Sequence, residues 1–510
     1  MQELKSFSII MLIVSILSGC ASLPEEIKHP IEPLITQSIS TLSKLTGSYR
    51  PEQSTQGTSA VLLQDSGWDA LSQRLALIET AEYSIDIQYY IWNADASGKY
   101  LASRLVAAAN RGVRVRVMLD DINLNERESL LAALDLHPQI EIRIFNPTSS
   151  RRGLAKWFDF LSDFSRLNRR MHNKSFTVDG VLSIVGGRNI GDEYFDLSDE
   201  INFRDRDVLV MGTVVGDIKV SFVKYWNSRW SYPVNLLTDK VLSDLSVLDK
   251  VAAPHYKHYP ALPEGKNSAN RFLKDLLGEM NWVQAGFVSD RPVPVDVDNT
   301  SEPKATAKLL AKLAQQSEQE ILFESAYLIF DDHQLTALRK LSSNGIQIKA
   351  LTNSMSSNDL VANHSGYAGR RRDMLDHGMQ LFELKPTTNL CEESTRDLSK
   401  CSPTAAYGLH AKSIVFDRRI AGIGSFNFNL RSTYLNTESL LIIESQSVAE
   451  SLANDMEQAM NEDNSWRLGL YEGKTRWYSG TKHWENEPET DHSERIKSRF
   501  LQLLPIEKYL

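Results

Sequence analysis

The chain has 510 residues, 42% of them hydrophobic and 24% charged, with a formal net charge of −9. That length supports two or three domains with substantial cores, and the composition is that of an ordinary globular protein. The acidic balance argues against a surface built to hold bulk nucleic acid, which is normally basic, so no nucleic-acid partner is expected.

Lys5 sits in a short polar start, followed by an apolar run from Phe7 to Leu17. The run is shorter than a membrane span needs, so residues 1–20 are expected to be a targeting segment and not part of the fold. It ends in Leu17-Ser18-Gly19-Cys20, which resembles a bacterial lipobox with Cys20 lipidated as the mature N-terminus. The competing reading is an uncleaved signal anchor. Ala21 follows Cys20, and by resemblance to enterobacterial sorting rules this directs a lipoprotein to the outer membrane. The expected location is the bacterial cell envelope, facing the periplasm and anchored to a membrane through Cys20. Residues 21–58, rich in Ser, Thr, Pro and Glu, read as a tether.

Alternation of strand and helix patterns begins at about residue 59. The pattern predicts a helix over 68–81, a strand over 84–92, a helix over 98–110 and a strand over 112–120, a unit that implies parallel pairing in an α/β layer. Trp157, Phe160, Leu161, Phe164 and Leu167 then recur at helical spacing, flanked by Arg151, Arg152, Arg166, Arg169 and Arg170. Such a stripe suits either an interfacial helix near phospholipid headgroups or a core-packing helix with a basic edge. The same order returns later: a helix over 304–315, a strand over 320–328, a helix over 333–343 and a strand over 345–351. Arg111-Gly112 and Asn344-Gly345 stand at matching turns. The chain is thus an internal duplication with a period of about 240 residues. The expected organisation is a first domain over 59–252, a Pro-rich linker over 253–270, a second domain over 271–480 and a tail over 481–510. Cys391 and Cys401 are close in sequence, and in an exported chain they are expected to form a local disulfide contributing about 2–3 kcal/mol.

The chemistry resides in a repeated motif. The first half carries His172, Lys174 and Asp179, then Gly186-Gly187-Arg188-Asn189. The second carries His410, Lys412 and Asp417, then Gly424-Ser425-Phe426-Asn427. In both, Asn falls 17 positions after His. On a strand, positions i and i+2 share a face, so each His projects with its Lys. Asp179 and Asp417 fall at the turn into the next strand and are expected to support the fold. Bringing the halves together gives one pocket with two histidines, two lysines and two asparagines. That set suits a phosphodiester: Lys and amide groups stabilise the equatorial oxygens, one neutral imidazole attacks phosphorus, and the other, protonated, donates to the leaving alkoxide. No cofactor is expected, and neither motif has zinc-ligand spacing.

The paired motifs resemble the phospholipase D superfamily. The stretches around them, Ile87 to Trp92, Arg111 to Asn123, Arg170 to Phe195 and Gly408 to Glu438, are similar to the branch of bacterial cardiolipin synthase C-like proteins. The resemblance implies an α/β fold of two α/β/α sandwich domains related by pseudo-twofold symmetry, with the active site at their interface. It implies His172 as nucleophile and His410 as acid/base. It also implies a carboxylate behind each histidine: Glu438, and Asp205 with Asp207 as the alternative. Arg370, Arg371 and Arg372 form a basic run that suits either an anionic headgroup or a solvated face. The implied function is phosphatidyl transfer to phosphatidylglycerol or a similar alcohol. Hydrolysis to phosphatidic acid, nuclease activity and a non-catalytic lipid-binding role are the alternatives. Phospholipids are the expected partners, and nothing in the chain demands an accessory protein.

Overall fold

The computed structural model describes residues 31–33, 39–51, 57–122, 124–148, 164–237, 245, 248, 251–255, 258–292, 302–395, 397–504 and 507–510. The targeting segment with Cys20, and Arg151, Arg152, Trp157, Phe160 and Leu161 of the apolar stripe, lie outside them. Among the described residues no helix is long and apolar enough to cross a membrane.

The strands of the first half are β1 (Thr58–Gln64), β2 (Ser84–Tyr89), β3 (Arg114–Asp120), β4 (Ile140–Phe145), β5 (Ser175–Val178), β6 (Leu182–Gly186), β7 (Ile201–Arg204), β8 (Asp207–Gly212) and β9 (Ser231–Pro233). Those of the second are β10 (Asn281–Ser289), β11 (Glu320–Ser325), β12 (Gln347–Asn353), β13 (Met379–Leu384), β14 (Ala406–Leu409), β15 (Lys412–Phe416), β16 (Ile420–Gly424), β17 (Ser439–Glu444), β18 (Ser465–Tyr471), β19 (Lys474–Ser479) and β20 (Lys482–Trp484). All but β7 and β14 join one continuous sheet of 18 strands among the described residues. Its centre is the antiparallel β1–β10 pair, with Thr58 opposite Gln284 and Val61 opposite Asn281.

Outward from that pair the order on one side is β1, β8, β6, β5, β2, β3, β4, β9. On the other it is β10, β17, β16, β15, β11, β12, β13, β18. The two series match strand for strand, so the duplication is a pseudo-twofold fold of mixed α/β type. The parallel triplets β2–β3–β4 and β11–β12–β13 are joined by helical crossovers, as parallel pairing requires. Helix Ala96–Asn110 is started by the Asp95 carboxylate accepting from Gly98 N, and helix Asp332–Ser343 by Asp331 accepting from Gln334 N. Each ends two residues before a left-handed glycine, Gly112 (φ 95°) and Gly345 (φ 92°), where a side chain would be strained.

Four apolar clusters lie among the described residues. Two lie within the first half and one within the second. The fourth spans both, with Val61, Val208, Val210 and Ile218 meeting Leu322, Val415, Leu441 and Ile443. The segment expected to be a linker packs on the first half: Tyr259 stacks on Trp68 with ring centroids 5.0 Å apart, and helix Lys266–Glu279 buries Leu273 and Leu277 in the first half's core. The boundary expected at 270 therefore cuts through one helix. The segment expected to be a tail docks on the second half, with helix His492–Leu501 against helix Val361–Asp376. Within the tether, Glu32 reaches the guanidinium groups of Arg114 and Arg116.

Candidate active site

Each motif enters the site on a short stretch of parallel backbone contributed jointly by both halves. β14 pairs in parallel with β7, ending with Leu409 opposite Arg204, and His410 N donates to Arg204 O at 2.8 Å. In the pseudo-equivalent place Met171 bridges to Thr437, and His172 N donates to Thr437 O at 2.9 Å. The next residue along each partner segment is an acid. His410 Nδ1 meets Asp205 Oδ2 at 2.5 Å, and His172 Nδ1 meets Glu438 Oε2 at 2.9 Å. The carboxylates are exchanged: each histidine of one half is oriented by the acid of the other. A carboxylate on Nδ1 fixes the ring and leaves Nε2 as the reacting nitrogen.

Both histidines are 6% exposed, and Lys174 and Lys412 are buried beside them. Lys174 Nζ donates to His172 O at 2.6 Å, and Lys412 Nζ donates to His410 O. Burial pushes the His172 ring down to about 4 and the His410 ring to about 3, with the neighbouring lysines adding to the effect and the paired acids opposing it. Burial thus favours the neutral rings in the free protein, while the carboxylate behind each favours the protonated form. An arriving phosphodiester anion offsets the lysine charge and favours the missing proton. Burial also brings Lys174 down to about 7 and Lys412 to about 8. Burial works against the charge on Asp205, yet His410, Lys412 and Arg188 hold its carboxyl well below the usual range.

The supporting groups differ between the halves. Glu438 accepts from Ser425 Oγ at 2.5 Å and Ser432 Oγ at 2.7 Å, and its backbone N–H is held by Asp290 Oδ2 at 2.9 Å. At the position matching Ser425 stands Gly187, where a Cβ would lie 2.3 Å from Asp205 Oδ1. Asp207, the alternative to Asp205, faces away: it pairs with Arg74 at 2.7 Å. The Asn189 amide oxygen accepts from Ile91 N at 3.2 Å, while the buried Asn427 amide oxygen has no hydrogen-bond partner among the described residues. Asp179 and Asp417 serve the fold. Both are left-handed (φ 51° and 50°), and each caps three successive N–H groups, of Glu82, Tyr83 and Ser84, and of Glu318, Gln319 and Glu320.

The arginine run is not brought into the site. Arg371 is buried between Glu383 and Glu487, 3.0 Å from each, and lies over the rings of Tyr367 and Trp477. Arg370 pairs with Asp332 and Glu507, and Arg372 with Asp376 one turn on. Asp359, just before the start of this helix, is close enough to act on Lys412. At 1.5 Å rise per residue the arginines lie about 15 Å further along it. These ion pairs give the run a part in holding the fold, and among the described residues none of them joins it to the motif side chains. Two groups not singled out in the sequence join the site instead: Tyr90 is edge-on to His172 at 4.9 Å, and Tyr194 to His410 at 5.1 Å. Their only sequence signal was position, Tyr90 just after β2 and Tyr194 five residues after Asn189. Cys391 and Cys401 are disulfide-bonded with Cα atoms 5.8 Å apart, just upstream of β14.

The family model described as "Cardiolipin synthase, PLD-like domain" matches residues 75–226 and 310–460, one match in each half and each containing a complete motif. The chain belongs to this phospholipase D-like family. Within the family it is 37% identical over 450 residues to cardiolipin synthase C of Escherichia coli (strain K12), covering 86% of this chain and 93% of that one. It is 32% identical over 509 residues to an uncharacterized protein of Helicobacter pylori (strain J99), covering 98% of each. The crystal structure of phosphatidylserine synthase of Haemophilus influenzae superposes with a TM-score of 0.56 at 13% identity, covering 88% of this chain and 95% of that one, a likeness of fold.

Proposed function

We propose that this protein is a phosphatidyltransferase that moves a phosphatidyl group between phospholipid alcohols, forming a cardiolipin-type product when the acceptor is phosphatidylglycerol. The observation that carries the reading is the pair of buried histidines, each held by a carboxylate of the opposite half with a lysine beside it. His172 Nε2 attacks the donor phosphorus, forming a P–N bond while the P–O bond to the headgroup breaks. His410 delivers its proton to the departing alkoxide. The acceptor hydroxyl then gives that proton back to His410 as its oxygen attacks phosphorus, and the P–N electron pair returns to His172. Lys174, Lys412, Asn189 and Asn427 stabilise the equatorial oxygens as their charge grows. A site this buried disfavours bulk water as acceptor, which supports transfer over hydrolysis. The lipobox-like Cys20 supplies the membrane anchor in this reading and holds the site at a lipid surface in the envelope.

The test is turnover with separately labelled phosphatidylethanolamine and phosphatidylglycerol, comparing wild type with His172→Ala and His410→Ala. Cardiolipin from wild type and from neither variant is the expected result. Phosphatidic acid as sole product would make the protein a hydrolase.

A further inference from the structure

Superposing the two motifs by their common spacing places Arg431 four residues after Asn427 where the first half has Glu193 four after Asn189. The site is therefore built from two similar halves with a base in one and an acid in the other at one matched position. Arg431 Nη2 donates to Asn168 O at 3.0 Å, and Nη1 to Tyr509 O at 3.2 Å and Asn168 Oδ1 at 3.5 Å. These are neutral oxygens, and among the described residues no carboxylate pairs with this guanidinium. Among the described residues three of its five N–H groups are used, and the other two can meet a ligand.

Arg431 stands beside Arg170. Asn168, which Arg431 holds, is two residues before Arg170, and Arg170 O accepts from Thr437 N at 2.9 Å, adjacent to the His172–Glu438 contact. Arg170 Nη1 is 3.4 Å from Asp120, whose carboxylate is shared with the N–H groups of Met171 and Ile122. The charges of both arginines reach the hydroxyl of Tyr90, the ring that lies against His172. The opposite flank is acidic. Glu193 accepts from Asn93 at 2.8 Å, Asp359 accepts from Tyr327 Oη at 3.0 Å, and both charges reach Tyr194, the ring against His410.

We infer that Arg431 and Arg170 form an anion subsite on the His172 flank that takes the second phosphate of a phosphoglycerol acceptor, while the reacting phosphate lies between the histidines. A guanidinium is suited to this because its planar fork matches phosphate oxygens. This inference rests on the transferase reading and adds to it a reason for choosing a phosphorylated alcohol over a plain one.

The experiment holds one labelled phosphatidyl donor fixed and varies the acceptor: glycerol, glycerol 1-phosphate and phosphatidylglycerol, with wild type, Arg431→Gln and Arg431→Lys. Wild type is expected to favour glycerol 1-phosphate over glycerol at least tenfold in kcat/KM. The ratio falls towards one in Arg431→Gln and recovers in part in Arg431→Lys, which keeps the charge if the glutamine variant folds poorly. If phosphatidylglycerol shows the same dependence on Arg431, the phosphate recognised is that of the lipid. If only the soluble phosphate does, the subsite admits free phosphate esters alone, and the inference for lipid falls. A wild-type ratio near one, or a ratio unmoved by Arg431→Gln, overturns the subsite while transfer itself stands. If wild type releases only phosphatidic acid, the transferase reading fails. The subsite is then read by inhibition of that hydrolysis: inhibition by glycerol 1-phosphate and not glycerol, weakened in Arg431→Gln, supports it, and equal inhibition refutes it.

Discussion

Gly187→Ala isolates the orientation of His410 from every group that touches substrate. The added Cβ would lie 2.3 Å from Asp205 Oδ1 and 3.3 Å from its Cγ. Real Cβ atoms approach no closer than about 3.0 Å, so the carboxylate must retreat by about 0.7 Å. It cannot do so while keeping both its 2.5 Å contact to His410 Nδ1 and its bond from Arg206 N at 2.7 Å. Misplacing a catalytic group by about 1 Å costs roughly 100-fold, or about 2–3 kcal/mol of barrier. The clash is with a side chain, so the fold should persist. By contrast, Gly424→Ala meets backbone, with Ser439 O at 2.1 Å and Leu440 Cα at 2.9 Å, and should lower Tm. The assay is lipid transfer under chemistry-limited conditions, with Tm measured on the same samples. A Gly187→Ala protein with wild-type kcat would refute the claim that Asp205 must sit where it does.

Glu438→Gln and Asp205→Asn should each lower kcat by roughly 10² to 10⁴, with the double variant little worse than either single, because each pair acts as a unit in one reaction; additive losses in single-turnover assays would contradict this. In pH profiles, kcat/KM should fall on the alkaline side as Lys174 and Lys412 lose their charge near about 7 and about 8, and on the acid side as His172 protonates near about 4; a profile flat from about pH 5 to 9 would refute the part given to the two lysines. Stability should follow the same ring: its pKa is depressed in the fold, so the unfolded chain takes up the extra proton first. The contribution is full above about 6.5 and is lost as pH falls towards about 4, by about 3 kcal/mol, a loss that His172→Gln should remove in denaturant titrations. Arg371→Leu should destabilise the protein by about 3–5 kcal/mol by taking the cation from between Glu383 and Glu487, which keep Trp477 Nε1 and His364 Nε2 respectively as partners, with KM unchanged for the folded fraction; a raised KM at unchanged Tm would restore the arginine to substrate binding. Reducing the Cys391–Cys401 bond should cost about 2–3 kcal/mol, read as a lower denaturation midpoint, and an unchanged midpoint would show that the clip is idle.

Much of the fold was legible because the duplication prints the same elements twice. The helix expected over 68–81 is Gly67–Thr80, and the strand expected over 112–120 is Arg114–Asp120. The motif itself announces His172, Lys174, His410 and Lys412, since period-two spacing puts each pair on one face. What the sequence hides is everything that depends on how the halves meet. Nothing local says that Glu438 serves His172 and Asp205 serves His410, because each acid is more than 200 positions from its partner. The arginine run was hard to read for the opposite reason: three adjacent cations on a helix point in different directions, and the middle one is turned inward to two acids on other elements. The polar, Pro-rich character of residues 253–270 looked like a connection, but Tyr259 and Pro260 are held by Trp68, a long-range contact with no local signature.

The exchange of acids also bears on how such a chain could have come about. A single half holds a histidine and lysine with no acid to orient them, and an acid with nothing to orient, so one repeat is not a smaller enzyme but an incomplete one. Two identical copies could complete each other only by pairing about a twofold axis, and both flanks of the resulting site would then be alike. Joining the copies in one chain removes that constraint. Each copy is then free to change without the other, and the chain shows such changes at matched positions: Ser425 against Gly187, Glu438 against Asp205, Arg431 against Glu193. Covalent fusion is in this sense what permits a site with two different ends, and two different ends are what a reaction between two unlike lipids requires.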